Sequence, residues 1–340
     1  MTPRSIPAPA ARQFDSLTPQ QVLDALDAVG LRGDGRILQL NSYENRVFQV
    51  FLEDGSAVVA KFYRPARWSN AQITEEHAFA LELALAEVPV VAPLVLQPDA
   101  DARALMLYGT PPTLAVLHEH RFMVAARCAG REPELDDPAT LRQLGRFIGR
   151  LHAVGRSRPF VHRHHLNPRV DGARALALLR EGGFVPLEQL PAWQTTCELA
   201  LQAIAAAFDT DAPVTTVRLH GDCHLGNVLW RDGAPHVVDL DDAMQGPAVQ
   251  DLWMLVSGDA MSMAQQFNTL LDGYEQFSDF DDRERALIEP LRTLRMIRHS
   301  AWLAERWSDP TFPLNFPFFG TAAYWSQQTA QLREQIELMA

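Results

Sequence analysis

The stretch His220-Gly221-Asp222-Cys223-His224-Leu225-Gly226-Asn227 runs into a short apolar run, Val228-Leu229-Trp230. A turn, Arg231-Asp232-Gly233, leads to a second run, His236-Val237-Val238, which ends in Asp239-Leu240-Asp241-Asp242. This is the pattern of a β-hairpin. Asn227 stands where the chain enters the first strand and Asp239 where the second strand leaves, so both side chains come to the same open end. Asp222, in the loop leading in, joins them. Two carboxylates and an amide oxygen at one mouth are hard donors. They suit Mg²⁺, which takes few carboxylates and completes its shell with substrate phosphates. In that chemistry Asp222 orients an acceptor hydroxyl and takes its proton, Asn227 and Asp239 hold the metal, and His220 props the loop. His220, Asp222 and His224 also spell HxDxH, a pattern that could bind zinc in a hydrolase. The downstream Asp239 and the lack of a third ligand cluster speak against that reading.

A second chemical signal lies far upstream. Of the 30 basic residues, all but Lys61 are arginine. Composition bias explains the arginines but not where the exception stands. Lys61 closes Val58-Val59-Ala60-Lys61, the return strand of a hairpin whose turn is Glu53-Asp54-Gly55-Ser56. A compact ammonium at that position matches the lysine that phosphotransferases place over nucleotide phosphates, held by a carboxylate on the following helix. That helix carries Glu75 and Glu76; Glu76 shares a face with Ile73, Ala80 and Leu83 and is favoured over Glu75 as the partner. The loop before the hairpin, Asn41-Ser42-Tyr43-Glu44-Asn45, has no glycine, so phosphates would be covered by a polar loop with the Ser42 hydroxyl or backbone N–H groups as donors. The spacing His220-x-Asp222-x-x-x-x-Asn227, then Asp239, resembles the kinase pattern H-R-D-x-x-x-x-N with its later metal-binding Asp.

These residues need elements to hold them. A helix is predicted over 17–29, with Thr18 as N-cap, Pro19 at its first position and Gly30 ending it. Strands follow at 36–40, 46–52 and 57–63, then a helix from Ser69 or Asn70 to about 87 and a hairpin over 114–118 and 121–126. From Asp137 onward the pattern is mainly helical, over 137–155, 193–208, 249–256, 263–277, 283–307 and 322–339. A β-rich first third before a helical remainder predicts an α+β, bilobal fold: residues 1–127 as a small N-lobe and 128–340 as a larger helical C-lobe.

Composition sets the surroundings. A net charge of −12 disfavours nucleic acid and anionic membranes as partners. No run approaches a membrane span. Met1 to Phe14 is Pro- and Ala-rich without an apolar stretch, a loose tail rather than a signal peptide. Cys128, Cys197 and Cys223 are odd in number and scattered, which fits a reducing cytoplasm. The His162, His164, His165 cluster reads as a surface loop, Cys223 as an unactivated thiol beside Asp222, Asp251 as structural support, and Trp302 and Trp307 as core. Asp241 and Asp242 read equally well as a solvated turn or as reaching a second metal.

The catalytic stretch is similar to that of the aminoglycoside phosphotransferase and choline kinase superfamily, and Leu144–His152 looks like the helix that precedes it there. Longer segments resemble the bacterial stress response kinase A family: Leu40–Gln49 (LNSYENRVFQ), Lys61–Trp68 (KFYRPARW), Glu75–Leu81 (EEHAFAL), Leu219–Gly233 (LHGDCHLGNVLWRDG), Val238–Leu255 (VDLDDAMQGPAVQDLWML) and Phe312–Pro317 (FPLNFP). The resemblance implies a kinase-like bilobal fold and a cytoplasmic, Mg²⁺-dependent, ATP-using Ser/Thr protein kinase. It further implies a predominantly monomeric protein with a role in envelope or redox stress survival. It associates Ser42 with ATP binding. Two alternatives stand beside it: a small-molecule kinase acting on an amino alcohol, sugar or aminoglycoside, and an inactive nucleotide-binding scaffold. The intact Lys61, Asp222, Asn227 and Asp239 argue against the scaffold.

Overall fold

The computed structural model describes Phe14 and residues 16–340. The tail expected over Met1 to Phe14 lies, but for Phe14, outside the described residues. In chain order the elements are α1 (Pro19–Ala28), β1 (Gly33–Leu40), β2 (Arg46–Leu52), β3 (Ala57–Phe62), α2 (Asn70–Leu85), β4 (Leu105–Tyr108), β5 (Leu114–Leu117), β6 (His120–Ala126) and α3 (Pro138–Gly155). Then come α4 (Pro168–Glu181), α5 (Leu190–Phe208), β7 (Thr216–Leu219), β8 (Val228–Arg231), β9 (Ala234–Val237) and β10 (Met244–Pro247). The chain closes with α6 (Val249–Leu252), α7 (Ala260–Tyr274), α8 (Ile288–Glu305), α9 (Thr311–Asn315) and α10 (Ala322–Leu338). The class is α+β, as expected.

The chain divides into two compact units. Of the described residues, the larger holds Phe14, 16–165 and 216–280, and the lobe boundary expected at 127/128 falls inside it. Its antiparallel sheet has the order β1-β2-β3-β6-β5-β4. The first helix forms for the expected local reasons: the Thr18 hydroxyl accepts from the Gln21 N–H while Gln21 answers at the Thr18 N–H, and Pro19 sits at the first turn. Its buried face, with Val22 and Leu26, joins a core with Phe48, Val50, Phe62, Phe122 and Val124. Val58, Ala60 and Phe62 of β3 point into that core, so period-2 alternation turns Lys61 to the other face of a central strand, opposite Val47 on β2 and Met123 on β6. Ser69 caps α2 through the same reciprocal arrangement with Gln72, and Asp137 caps α3 on the N–H groups of Ala139 and Thr140. Helices α3 and α7 approach closely because Gly145 has no side chain; a Cβ there would collide with the Leu270 carbonyl. The closeness brings His152 of α3 to the hydroxyl of Tyr274 on α7, at 3.0 Å.

Of the described residues, the smaller unit holds 166–215 and 281–340. Its core gathers Trp193, Ile204, Leu294, Phe312, Trp325 and Leu332, with Trp302 and Trp307 packed against it as read from the sequence. Helix α4 belongs to this unit and was not expected; its apolar residues are diluted by Arg169, Asp171, Arg174 and Arg180 and present only a narrow buried stripe, Gly172, Ala175 and Leu179. The pairing of β7 with β10 was also not expected. Both strands are short, and their partners lie far apart in sequence. The helix read over 249–256 is α6 followed by a 3₁₀ turn, Trp253–Leu255, and the one read from 283 is a 3₁₀ turn, Asp282–Leu287, before α8 begins.

Candidate active site

Every sequence-predicted site residue lies in the larger unit. Strand β7 delivers the chain to His220, and a fully buried carboxylate, Asp251, receives it. Asp251 accepts from the N–H groups of His220 at 2.7 Å and Gly221 at 2.8 Å, and from His152 Nε2 at 3.0 Å. The Gln250 amide donates to the Gly221 carbonyl at 3.2 Å. Gly221 adopts φ +86°, and a Cβ there would strike the Asp242 carbonyl. His220, also fully buried, accepts the Asp222 N–H on Nδ1 at 3.3 Å and donates from Nε2 to the Val238 carbonyl at 2.9 Å. It therefore ties the loop to the residue before Asp239, the propping role read from the sequence. With both ring nitrogens engaged, His220 has none left for a metal, which removes the HxDxH zinc reading. Asp251 does the bracing expected of a structural residue; only the fold reveals that it grips the backbone on either side of the loop's first peptide.

The hairpin forms as β8 and β9, with Val228 opposite Val237. The Val238 N–H donates to the Asn227 carbonyl at 3.0 Å, so the segments carrying Asn227 and Asp239 leave the hairpin at the same end. The Asn227 amide nitrogen donates to the Asp222 carbonyl at 3.0 Å, leaving its oxygen as the group able to accept or ligate. Asp239 sits in the left-handed region at φ 62°, ψ 62°, an uncommon backbone for a non-glycine residue and one that concentrates at functional positions. Its carboxylate is 48% exposed. The Asp222 carboxylate is partly exposed beside His224 Nε2 at 3.5 Å. Among the described residues no group of three or more His, Cys, Asp or Glu is arranged to hold a metal. An amide oxygen and one open carboxylate instead fit a hard ion that arrives with phosphate oxygens of its own.

Lys61 meets this loop. Its buried ammonium is 2.7 Å from Asp239 Oδ1 and 3.3 Å from Asp241 Oδ1. Burial alone would lower its pKa; the charges of Asp239 and Asp241 outweigh that and push it well above the usual lysine value. Among the described residues it makes no ion pair with Glu75 or Glu76 of α2. Glu75 is occupied elsewhere, accepting the N–H groups of Val161, His162 and Arg163 at 2.6, 2.7 and 2.7 Å. Glu76 lies buried on the inward face, and burial pushes its pKa up to about 7 against the opposing charges of Lys61 and Arg163. Ser42 accepts the Asn45 N–H at 3.3 Å and so shapes the polar loop.

The residues that sequence reasoning missed surround Asp241. It is 3% exposed, not a solvated turn. Its Oδ2 accepts from the Asn45 amide at 3.1 Å and from Arg67, whose other terminal nitrogen reaches Asp242 at 2.6 Å. Arg163 donates to the Asp241 and Ala243 carbonyls at 2.5 and 2.8 Å and lies 4.1 Å above the Trp68 ring. Arg64 pairs with Glu44 at 3.1 Å and donates to the carbonyls of Glu44 and Tyr43 at 2.9 and 3.0 Å. Burial opposes ionisation of Asp241, yet Lys61, Arg67 and Arg163 hold its carboxyl far below the usual range. A carboxylate so compensated is an anchor for cations rather than a ligand for another one. The available signal was KFYRPARW, where Arg64 and Arg67 follow the lysine closely. Cys223 is buried with its thiol pushed up, first by burial and then by Asp251 and Asp222, in keeping with an unactivated thiol.

A sheet lysine turned onto an Asp–Asn–Asp loop defines a kinase-like phosphotransferase. The description "Phosphotransferase enzyme family" matches residues 36–288. Stress response kinase A of Escherichia coli (strain K12) is 42% identical over 330 residues, covering 97% of this chain and 96% of that protein. The Salmonella typhimurium (strain LT2) protein called Serine/threonine protein kinase RdoA is 42% identical over 326 residues, covering 96% and 94%. Among solved structures, an amicoumacin kinase in complex with AMP-PNP and Ca²⁺ superposes with TM-score 0.69 at 19% identity, covering 94% of this chain and 92% of that one. A microcompartment-associated aminopropanol kinase superposes with TM-score 0.67 at 18% identity, covering 95% and 98%. The chain belongs to the phosphotransferase enzyme family and, within it, to the stress response kinase A proteins. No described helix is long and apolar enough to cross a membrane.

Proposed function

We propose that this chain is an ATP- and Mg²⁺-dependent kinase that phosphorylates Ser/Thr hydroxyls of proteins, itself included, during bacterial stress. One observation carries the reading: the lone lysine stands 2.7 Å from Asp239 at the end of the hairpin that also presents Asn227 and follows Asp222. Asp222 accepts the proton of the attacking hydroxyl. Asn227 and Asp239 would hold the metal, which when bound would neutralise charge on the nucleotide phosphates. Lys61 moves from Asp239 to those phosphates, with Ser42 over them and the Glu76 carboxyl nearby. The adenine rests against the backbone near Ala125–Cys128. Residues 1–127 serve as the nucleotide lobe and 128–340 carry the catalytic loop, in a cytoplasmic monomer. Positioning and charge neutralisation supply nearly all of the catalysis in such a transfer.

A second reading, a small-molecule kinase, draws on the amicoumacin and aminopropanol kinases and on a net charge of −12 that suits a cationic acceptor. Labelled ATP, Mg²⁺ and either a generic protein acceptor or a panel of amino alcohols separates the two. Label in protein Ser/Thr is the expected result; label confined to the small alcohols replaces it with the second reading.

A further inference from the structure

We propose that Asp241 is the carboxylate that positions Lys61 once ATP is bound. The inference rests on the nucleotide reading above and deepens it. Lys61 at present has two partners, Asp239 at 2.7 Å and Asp241 at 3.3 Å. Asp239 is needed for the metal, so a lysine that serves the phosphates must give it up. What remains within reach is Asp241. Its Oδ2 is already taken by Asn45 and Arg67, and its main-chain carbonyl by Arg163. Its Oδ1 is buried and has no hydrogen-bond partner. A carboxylate fixed at its other oxygen, with one orphaned oxygen facing the only lysine, is built to receive that ammonium. A few tenths of an ångström close the pair to about 2.8 Å, the usual charge-assisted distance. Among the described residues Glu76 makes no such contact; the ionisable group beside it, His77 at 3.7 Å, has its pKa pushed down to about 3 by burial and so carries no charge.

The arrangement also fastens the loop expected over the phosphates. Asn45 bonds Asp241 through its amide nitrogen and accepts the Arg64 N–H through its oxygen at 3.1 Å. Asp241 thus holds the lysine and, through Asn45, the end of the Ser42–Asn45 loop in one network. It touches neither acceptor nor reacting atoms and acts through Lys61, as a positioning residue.

The test compares Asp241→Asn with Glu76→Gln in ATP affinity, read by fluorescent-nucleotide titration, and in KM for ATP against kcat. Asp241→Asn keeps the shape and an acceptor for Asn45 but removes the charge; it should weaken ATP binding and raise KM about tenfold, with the smaller change in kcat. Glu76→Gln should cost less, about twofold to threefold. Equal or greater loss in Glu76→Gln overturns the proposal. If Asp241→Asn does not fold, a crystal structure of the wild-type chain with a non-hydrolysable ATP analogue and Mg²⁺ decides. Lys61 should lie within hydrogen-bond reach of Asp241 and a phosphate; finding it on Glu76 overturns the assignment. Wild-type protein that binds no ATP removes the nucleotide reading and this proposal together, whereas wild-type affinity retained in Asp241→Asn removes Asp241 alone.

Discussion

The catalytic loop and the lysine region beside it are held by different forces. The loop is fastened by directional hydrogen bonds, each with one partner: Asp251 on two backbone N–H groups, His220 on the Val238 carbonyl, Asn227 on the Asp222 carbonyl. The lysine region is an exchange of charges, in which Lys61, Arg67, Arg64 and Arg163 face Asp239, Asp241, Asp242 and Glu44. The first kind of structure has one low-energy arrangement, because breaking any bond leaves a buried polar group unsatisfied at about 1–3 kcal/mol. The second kind can trade partners, because an ammonium moving from one carboxylate to a phosphate keeps a counter-charge throughout. A site that must keep its base still and yet accept a highly charged nucleotide needs one of each.

If that contrast is right, damage to the loop should strike turnover, and damage to the lysine region should strike nucleotide binding. The largest effect belongs to Asp222→Ala, which should lower phosphate transfer about 10³-fold or more while ATP still binds; full activity in that variant would sink the base assignment. Next is Asp251→Ala, which orphans two backbone N–H groups and the His152 ring. It should cost about 3 kcal/mol in denaturant unfolding and reduce kcat more than ATP affinity; a variant as stable and active as the wild type would show that the loop needs no brace.

The smallest effect on turnover lies with Glu76, whose signature is a pH-dependent stability. Its folded pKa of about 7 stands above the ordinary value of 4.5 because burial disfavours the charged form. A raised carboxyl pKa means a contribution to stability that is complete below about 4.5 and lost as pH rises through about 7. Across that window ionisation should cost the wild type up to about 3 kcal/mol, a cost Glu76→Gln escapes. Melting curves of the two proteins should diverge in favour of the variant between pH 5 and pH 8. A gap constant with pH would place the carboxyl in a more polar setting.

How much of this could be read from the sequence follows the same division. The loop was legible because its chemistry is local: Asp222, Asn227 and Asp239 lie on one loop and one hairpin, and hairpin geometry alone brings them together. Lys61 was legible from its rarity and its strand. The partners of Lys61 were not, because the burial of Asp241 depends on Asn45, Arg67 and Arg163, which come from distant parts of the chain. A carboxylate in Asp239-Leu240-Asp241-Asp242 looks solvated until those cations are placed around it. For the same reason Glu75 and Glu76 were separable by helical face, but the capping of 161–163 by Glu75 was not foreseeable. Helix α4 and the β7–β10 pair escaped because one is weakly patterned and the other joins residues far apart in sequence.

The central claim is that Lys61 lies at the nucleotide phosphates, and the composition permits a direct test. Lys61 is the sole lysine, so an amine-reactive ATP analogue has only it and the N-terminal amine to attack, and peptide mapping tells them apart. The account predicts modification at Lys61 that excess ATP with Mg²⁺ suppresses. Modification that spares Lys61, or that proceeds at the same rate whether or not ATP is present, would contradict it.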